Sequence, residues 1–340
     1  MGVGHWQGPQ GKLSVMHLLS SLAGADGRVF GRQKIRLLRI YLAATTFLYA
    51  YGVTFTLFPV RTDLEFANPA GGIAAIVLGI AALGYLAFSP QNSGPALAAA
   101  IVATPLVIAF HVTLTSIYVC MTASMFLAMY VRAFYSPRRA AVLIALLTGA
   151  VLAAVAVSPA PHVGVITFLI IAVAIVGTAE SFGIVMRALL TAACTDPMTG
   201  LFNRAGWEIA TAELLTGRRP QSDVVTVVAL DIDKLKHLND TYGHDAGDRR
   251  ITEYATAWRA AAPRGAILAR LGGDEFAGCI AARDGVAETF VQTIRASTPE
   301  VSIGTATGRT REIDIPRLLR QADEVLYASR GKPLRDAEGS

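Results

Sequence analysis

The feature that most constrains this chain is a series of long apolar stretches that fills most of its first half. Most of these stretches are long enough for a helix of roughly 20 residues, the length that crosses a lipid bilayer. Residues 96–134 form one apolar block that is too long for a single span, so we divide it near residues 111–116. The pattern then predicts six transmembrane helices, at about residues 38–60, 70–88, 95–113, 114–134, 140–158 and 163–186.

Basic residues flank these stretches and indicate how the helices are oriented. Residues 1–190 contain 11 Lys and Arg against 4 Asp and Glu, so the sequence pI of 9.2 arises in the first half. Their position beside apolar segments favours control of membrane topology over nucleic-acid binding. They concentrate before the first predicted helix, between the fourth and fifth, and after the sixth. This distribution predicts cytoplasmic N and C termini and an inner-membrane, multi-pass location in the lipid bilayer.

The second half differs in composition and predicts a separate domain. Residues 191–340 contain 19 Lys and Arg and 21 Asp and Glu. Helical and strand patterns alternate there, which predicts an α/β (α+β) domain with a mixed or mostly antiparallel sheet. The predicted fold class is an all-α polytopic membrane domain of six helices followed by this α/β domain. We place a cytoplasmic tail at residues 1–36, a transmembrane sensory or dimerisation region at 37–187, a short helical junction at 188–195 and the α/β domain at 196–340.

One carboxylate, Glu180, falls within a predicted membrane helix, near the inner end of the sixth. An intramembrane carboxylate is a functional candidate by default. Glu180 also lies within two turns of Arg187, so a solvated interfacial residue is an equal alternative. The sequence of this half identifies no transported ion or ligand. The stimulus of the region is therefore left open, as an unknown small molecule or the membrane itself.

The most informative stretch of the second half is residues 270–276, in which two glycines precede two acids. Glycine tolerates the positive φ of tight hairpin turns, so Gly272 and Gly273 predict a turn between two short strands. The turn would bring Asp274 and Glu275 to an exposed edge. Adjacent carboxylates beside such a turn suit metal-assisted phosphoryl transfer, and a surface hairpin with solvated acids is the alternative.

A second acidic group follows the predicted strand Val224–Ile232. Side chains two residues apart share one face of a strand, so Asp231 and Asp233 are expected to point to one site. Carboxylates from this strand end and from the hairpin would together form the hard-oxygen site that Mg²⁺ prefers. Three polar residues lie downstream: Lys236, Asn239 and Asp248. Lys236 could contact phosphate, and Asn239 and Asp248 could contact guanine. Alternatively, Lys236 and Asn239 are ordinary surface residues and Asp248 caps the next helix.

Six motifs follow one another along the second half. They begin at Asp196 (DPMTGLFNR), Asp231 (DIDKLKHLND), Tyr242 (YGHDAGD), Arg270 (RLGGDEF), Ser302 (SIG) and Ala322 (ADEVLY). Together they resemble the GGDEF domain of diguanylate cyclases over about residues 191–333. The resemblance implies a palm-like nucleotidyl cyclase fold and the condensation of two GTP into cyclic di-GMP and two pyrophosphates. It also implies a two-fold homodimer in which each subunit binds one GTP.

The resemblance implies roles for individual residues as well. Asp231 and Asp274 would hold the metal ions, Mg²⁺ or Mn²⁺ and two per GTP, with the Ile232 carbonyl assisting. Glu275 would be a further metal ligand or the catalytic base. The substrate-binding residues implied are Asn239 and Asp248 for guanine, and Lys236, the backbone of Lys234 and Leu235, and Arg330 for phosphate.

The sequence departs from the family pattern at several positions. Pro263 and Ala266 stand where the Arg-x-x-Asp motif of product inhibition belongs, so we expect no inhibition at that primary site. Leu235 replaces the usual Phe, and the segment between the fourth and fifth motifs is short. Leu334 replaces a phosphate-binding Arg in the C-terminal tail.

Three functions are compatible with these observations. The leading hypothesis is an active, membrane-bound diguanylate cyclase that its transmembrane region controls. The first alternative is a catalytically weak GGDEF domain that binds GTP and signals by contact. The second is a transporter or receptor with an appended regulatory domain, but the sequence lacks the paired broken-helix or repeat signature of such proteins.

Overall fold

The structure, a computed structural model, describes residues 28–58, 68–160, 164–216, 224–309 and 313–330. The chain divides into two compact units, and among the described residues one ends at Ala188 and the other begins at Leu189. Most of the predicted N-terminal tail and Leu334 of the altered C-terminal segment lie outside the described residues.

The first unit is built from six helices within the described residues. Their bounds are α1 Arg28–Leu57, α2 Pro69–Phe88, α3 Gly94–Ala109, α4 Leu114–Phe134, α5 Pro137–Val157 and α6 Val165–Cys194, of which α6 continues past Ala188. Local sequence explains where they start. At α2, for example, the Asn68 side chain accepts from the Ala70 N–H at 2.9 Å and Pro69 takes the first helical position, which needs no N–H donor.

Apolar and small side chains fill the interior of this unit. Leu38 of α1, Leu127 of α4 and Ile171 of α6 belong to one buried cluster. Buried alanines such as Ala100 and Ala128 let helix backbones approach closely. Close packing of this kind, rather than the hydrophobic effect, drives helix association in lipid.

Five of the six helices are long and apolar enough to cross a membrane, judged by length and composition within the described residues. The exception is α3, which lies in the predicted span 95–113 but has 16 residues, with Pro105 inside it. At 1.5 Å per residue it is roughly 24 Å long, shorter than a hydrocarbon core of about 30 Å. The helices are consistent with a membrane anchor, and the predicted sixth crossing is not confirmed. The cytoplasmic placement of both termini remains a prediction.

The carboxylate of Glu180 on α6 is paired with Arg132 on α4. Arg132 Nε and Nη2 lie 3.0 Å from its two oxygens, and the Arg132 side chain is 11% exposed. A two-point ion pair between a guanidinium and a carboxylate is geometrically specific. Glu180 is therefore neither an isolated buried charge nor a freely solvated residue, and the pair fixes how these two helices meet.

The second unit is an α/β domain that begins with the end of α6. Its further elements are α7 Arg204–Thr216, β1 Val224–Ile232, α8 Leu235–Tyr242, α9 His244–Ala261, β2 Ile267–Arg270, β3 Glu275–Ala281, α10 Val286–Ser297, β4 Val301–Arg309 and α11 Ile315–Ser329. The four strands form one antiparallel sheet in the order β2–β3–β1–β4. The predicted α/β domain with a mostly antiparallel sheet is confirmed.

Strand β1 is the buried centre of this sheet. Val228 and Leu230 pack into one core with α9 and α10, whereas Val227 and Ala229 pack into a second core with α7 and α11. A strand buried on both faces is expected to be a near-continuous apolar run, and β1 is one. This explains why its predicted bounds agree with the structure.

Helix α9 starts earlier than the sequence predicted. The sequence predicts a Gly-rich turn over residues 242–247 and a helix from about Asp248, but the helix begins at His244 after Gly243. Gly243 has a φ of 84° and makes the turn alone, so the next four residues join the helix. Asp248 lies inside α9, and the interpretation that it caps the helix is wrong.

A close approach holds α11 against β4. A Cβ atom built on Gly304 would lie 2.0 Å from the Ala322 carbonyl oxygen, so any larger residue would displace the helix. Because α11 ends at Ser329, this packing sets the position of Arg330. The contact therefore links the sheet core to the functional end of the domain.

A buried hydrogen bond between Trp258 and Thr298 should stabilise the second unit. The Trp258 ring packs edge-to-face on Phe276, with centroids 4.9 Å apart, and its indole N–H donates to the Thr298 hydroxyl at 3.0 Å. Thr298→Val keeps the shape but leaves this buried N–H unpaired, which costs about 1–3 kcal/mol. We expect a lower Tm, followed by tryptophan fluorescence of the full chain.

The matched control is Thr293→Val on the exposed side of α10. The Thr293 hydroxyl donates to Thr289 of its own helix at 2.8 Å, so its loss should change stability by less than about 0.5 kcal/mol. If both variants keep the wild-type Tm, the Trp258 hydrogen bond contributes nothing to stability.

Candidate active site

The acidic residues singled out in the sequence meet at one end of the sheet. Asp231 lies opposite Glu275 in the β1–β3 register and opposite Ser302 in the β1–β4 register. The Ile232 N–H donates to the Asp274 carbonyl oxygen at 3.2 Å, which extends the ladder beyond β3. Strand β1 and the hairpin therefore present the carboxylates of Asp231, Asp274 and Glu275 at the same end of the sheet, which we call the acidic edge.

Backbone hydrogen bonds close the Gly-Gly turn between β2 and β3. The N–H groups of Leu271 and Gly272 donate to the Glu275 carbonyl oxygen at 2.8 and 3.3 Å. The Arg270 side chain also stabilises the turn, because its Nε and Nη2 donate to the Gly273 carbonyl oxygen at 3.1 and 2.8 Å. The turn that carries the two acids is thus fixed on both sides.

Arg270 also connects this turn to the segment that follows α6. Its Nη1 lies 3.3 Å from the Asp196 carboxylate, and both side chains are largely buried. Asp196 accepts from the Thr199 N–H at 2.8 Å and from its hydroxyl at 2.7 Å. Burial alone would raise the pKa of Asp196, but the Thr199 hydrogen bonds and the Arg270 charge outweigh it and lower the pKa. Asp196 is therefore an ionised anchor for Arg270.

Arg330, directly after α11, contacts carboxylates. Its Nη2 donates to Asp231 and, at 2.8 Å, to Asp233, and its Nε donates to the Ser302 hydroxyl at 2.9 Å. The Ser302 hydroxyl donates in turn to Asp233 at 2.7 Å. Asp231 and Asp233 thus converge on one guanidinium. The phosphate contact implied for Arg330 stays a prediction.

The ionisation of Asp231 reflects this crowding. Burial raises the pKa of Asp231, and the charges of Asp274 and Asp233 raise it further, while Arg330 opposes the rise. A positive charge placed between neighbouring carboxylates favours their ionised forms. The acidic edge is therefore an electrostatic environment in which a cation would be stabilised.

The oxygen donors at the acidic edge suit a hard divalent cation. The carboxylates of Asp231 and Asp274 and the carbonyl of Ile232 are of the type that Mg²⁺ prefers. Within the described part of the chain, no group of three or more His, Cys, Asp or Glu side chains is arranged to hold a metal ion. Metal ligation by these residues and by Glu275 therefore stays a prediction that rests on donor chemistry.

The turn from β1 into α8 passes through a residue in a left-handed conformation. Lys234 has a φ of 57°, a left-handed conformation that is uncommon outside glycine, and directly precedes α8. The side chain of Lys234 makes no capping hydrogen bond at this helix start, and N–H groups of a first helical turn attract phosphate. Leu235 is buried, whereas Lys234 and Lys236 are exposed. Of the residues implied for phosphate contact, Lys234, Leu235 and Lys236 therefore lie together at one helix start, with the two lysine side chains exposed.

The two residues implied for guanine contact lie near each other where α8 meets α9. Asn239 has a buried Oδ1 atom with no hydrogen-bond partner among the described residues. A Cβ atom built on Gly247 would lie 2.0 Å from this oxygen, so only glycine leaves Asn239 its place. Asp248, the next residue, is exposed. An unpaired buried amide beside an exposed carboxylate is a plausible recognition pair for a base that donates and accepts hydrogen bonds.

Glu275 has an acidic neighbour on α11. Burial raises the pKa of Asp323 to about 6, the Glu275 charge adds to the rise, and Arg204 opposes it. Arg204 Nη2 also donates to the Leu271 carbonyl oxygen at 3.3 Å. The charge of the exposed Glu275 carboxylate therefore acts on Asp323 across the space between β3 and α11.

Sequence reasoning gave no role to four residues that shape this site: Asp196, Arg270, Ser302 and Asp323. All four belong to the motifs that carry the resemblance. The available signal was a charged residue two positions before the Gly-Gly pair and another two positions after the last apolar helix. Their pairing spans 74 residues, and no local pattern reveals it.

Comparison with known proteins identifies the family of this domain. The family model of the diguanylate cyclase GGDEF domain matches residues 193–333. An uncharacterised 19.3 kDa protein of Streptomyces ambofaciens is 37% identical over 164 residues, which cover 45% of this chain and 87% of that protein. The probable diguanylate cyclase DgcC of Escherichia coli is 30% identical over 157 residues, which cover 42% of each protein.

Solved structures match the same region. The GGDEF domain of DgcB from Caulobacter crescentus, in complex with c-di-GMP, has 30% sequence identity, with 41% of this chain and 91% of that chain covered and a TM-score of 0.35. This chain spans 62% of the length of a further relative from Streptomyces griseus and 42% of DgcC, so these matches concern the domain and not the whole proteins. The chain belongs to the GGDEF family: residues 193–333 form a GGDEF domain homologous to those of diguanylate cyclases.

Proposed function

We propose that this protein is a membrane-bound diguanylate cyclase that condenses two GTP into cyclic di-GMP and two pyrophosphates. The observation that carries the proposal is the β1–β3 register, which sets Asp231 opposite Glu275 and beside Asp274. The relatives of this domain include probable diguanylate cyclases. Family membership and the gathered carboxylates together support phosphoryl-transfer chemistry at this sheet end.

Each domain would hold one GTP along the line from α9 to the Gly-Gly turn. Asn239 and Asp248 would bind the guanine edge, and the start of α8 with Lys236 would bind the phosphates. The nucleotide would then extend toward Asp231 and Asp274. Gly272 and Gly273 have no side chains to obstruct its approach.

The reaction needs two copies of the chain. In each half-reaction, the 3′-hydroxyl of one GTP would attack the α-phosphorus of the GTP on the partner subunit. A new phosphorus–oxygen bond forms, pyrophosphate leaves, and the Glu275 carboxylate takes the hydroxyl proton. Bound Mg²⁺ or Mn²⁺, held by Asp231, Asp274, Glu275 and the Ile232 carbonyl, would supply charge neutralisation at the α-phosphate and at pyrophosphate. A two-fold homodimer satisfies this stoichiometry.

Control by the transmembrane region is part of the proposal. Helix α6 runs to Cys194, and the Asn203 N–H donates to the Cys194 carbonyl oxygen at 3.0 Å. The adjacent Phe202 exchanges backbone hydrogen bonds with β2, at Leu268 and Arg270. A displacement of the helix end would therefore reach the strand that leads into the Gly-Gly turn.

A catalytically weak, GTP-binding signalling module is the second candidate. The favouring observation is Arg330, whose guanidinium already binds Asp231 and Asp233 at the point where metal ions are expected. Leu334 stands where the family pattern has a phosphate-binding Arg, and this replacement also favours the catalytically weak module. Incubation of the purified full-length protein with GTP and Mg²⁺, followed by chromatographic separation of nucleotides, distinguishes the two. Cyclic di-GMP supports the cyclase, and bound but unconverted GTP supports the module.

Asp274→Asn should abolish most product formation. The substitution keeps the size of the side chain and removes the charge that supports a metal ion, so we expect kcat to fall at least about 10²-fold. Asp284→Asn, an exposed acid in the loop after β3, is the matched control and should keep wild-type kcat. Equal kcat values for the two variants would show that the Asp274 charge takes no part in the reaction.

Gly247→Ala should weaken GTP binding without unfolding the domain. Its Cβ atom would displace the Asn239 amide, so we expect a non-hydrolysable GTP analogue to bind at least about tenfold more weakly in calorimetry. Thr252→Ala, at an exposed position on the same helix, is the control. Unchanged affinity in Gly247→Ala would show that Asn239 does not contact the nucleotide.

Arg270→Ala should lower kcat more than it raises KM. Arg270 touches the Gly273 carbonyl and Asp196 rather than the expected nucleotide position, so it positions the turn. Misplacement of the turn acids by about 1 Å would cost up to roughly 10²-fold in rate. The control is Arg264→Ala, at an exposed arginine before β2. A change in KM alone would instead indicate a direct substrate contact.

A further inference from the structure

A large cleft lies within the first unit, between α1 and α4. Its volume is about 790 Å³, within the range of small-molecule sites. Its walls are mainly apolar and include Ile40 and Leu48 of α1 and Val119, Phe126 and Met129 of α4. No charged residue is found among the described residues that line it.

Polar groups gather at one end of the cleft, where α2 and α4 begin. Asn68, His111, Thr115 and Ser116 line this end. The Nδ1 atom of His111 is buried and has no hydrogen-bond partner in the described part of the chain. An unpaired polar atom is costly in a site that water does not reach, and most such atoms find a partner.

Two polar side chains deeper in the cleft have partners within the bundle, whereas the buried hydroxyls of Tyr41 and Tyr130 have none among the described residues. The Tyr49 hydroxyl shares a hydrogen bond of 2.7 Å with Thr104, and the Thr45 hydroxyl donates to the Tyr41 carbonyl oxygen at 2.9 Å. The cleft therefore has a polar mouth, where the His111 nitrogen is unpaired, and a body whose walls are mainly apolar but include the Tyr41 and Tyr130 hydroxyls.

We propose that this cleft binds a neutral, single-chain amphiphile whose hydroxyl-bearing head group hydrogen-bonds to His111 Nδ1 and whose chain lies along α1 and α4. A charged head would find no counter-charge among the described residues of the lining, which disfavours fatty acids, amines and phospholipids there. A wholly apolar molecule would leave Nδ1 unpaired. This site is separate from the GGDEF domain, and its occupation does not depend on the reaction proposed there.

The test uses the full-length chain in phosphatidylcholine nanodiscs, with binding followed by native mass spectrometry. The probe is 1-monooleoylglycerol, and lysophosphatidic acid with the same oleoyl chain is the charged comparison. We expect saturable binding of one monooleoylglycerol per chain, at least tenfold tighter than binding of lysophosphatidic acid. Non-saturable uptake, or equal affinity for the two, would mean that the cleft holds ordinary bilayer lipid and would overturn the proposal.

Two glycine substitutions localise the binding. A Cβ atom on Gly52 or on Gly149 would meet nothing within 4 Å, and both glycines are exposed helical residues. Gly52 lines the cleft and Gly149 on α5 does not. Gly52→Leu should weaken monooleoylglycerol binding at least tenfold, and Gly149→Leu should leave it unchanged. Equal affinity in the two variants would contradict the site. A changed oligomeric state in Gly52→Leu with unchanged binding would assign the cleft to a second copy of the chain.

His111→Phe tests the head-group contact. The ring size is kept and the unpaired nitrogen is removed, so we expect at least fivefold weaker monooleoylglycerol binding with no loss of Tm. The same variant should bind 1-octadecene, which has no hydrogen-bonding group, as the wild type does. Unchanged monooleoylglycerol affinity in a folded His111→Phe chain would refute the role of His111.

Discussion

The pairing register of β1 with β3 is the constraint on which the functional end of this domain depends. Because β1 is buried on both faces, a slip of one residue would exchange its two sets of core side chains, so the register is strongly specified. That register sets Asp231 opposite Glu275 and lets Ile232 reach the Asp274 carbonyl. Core packing thus determines carboxylate placement, and the acids need no interaction of their own to meet.

The chain of contacts from Asp196 through Arg270 to Gly273 gives the domain a second organising feature. It joins the residues that follow α6 to the turn that carries the acids, by an ion pair and two hydrogen bonds to one carbonyl. Neither end of this chain is part of the sheet core. The position of the Gly-Gly turn therefore depends on side-chain contacts with the residues that follow α6, whereas the position of the β1 end is fixed by core packing.

The sequence predicted most of this architecture where local pattern and burial agree. The β1 bounds, the hairpin turn and the antiparallel α/β class follow from apolar runs and glycine positions. The start of α9 was missed because Gly243 alone makes the turn that six residues, 242–247, were expected to make. The length of α3 was overestimated because hydropathy continues past the point where the helix ends. The Arg330 and Arg270 contacts join residues far apart in sequence, and no periodicity encodes them.

Arg330 has a consequence for how the domain is maintained in a cell. Its guanidinium bridges Asp231, Asp233 and Ser302, so the fold carries an internal counter-ion for its most crowded acids. Part of the negative charge at the acidic edge is then balanced by the polypeptide itself. A newly made domain can therefore gather these acids as it folds even in a compartment where free divalent cations are scarce.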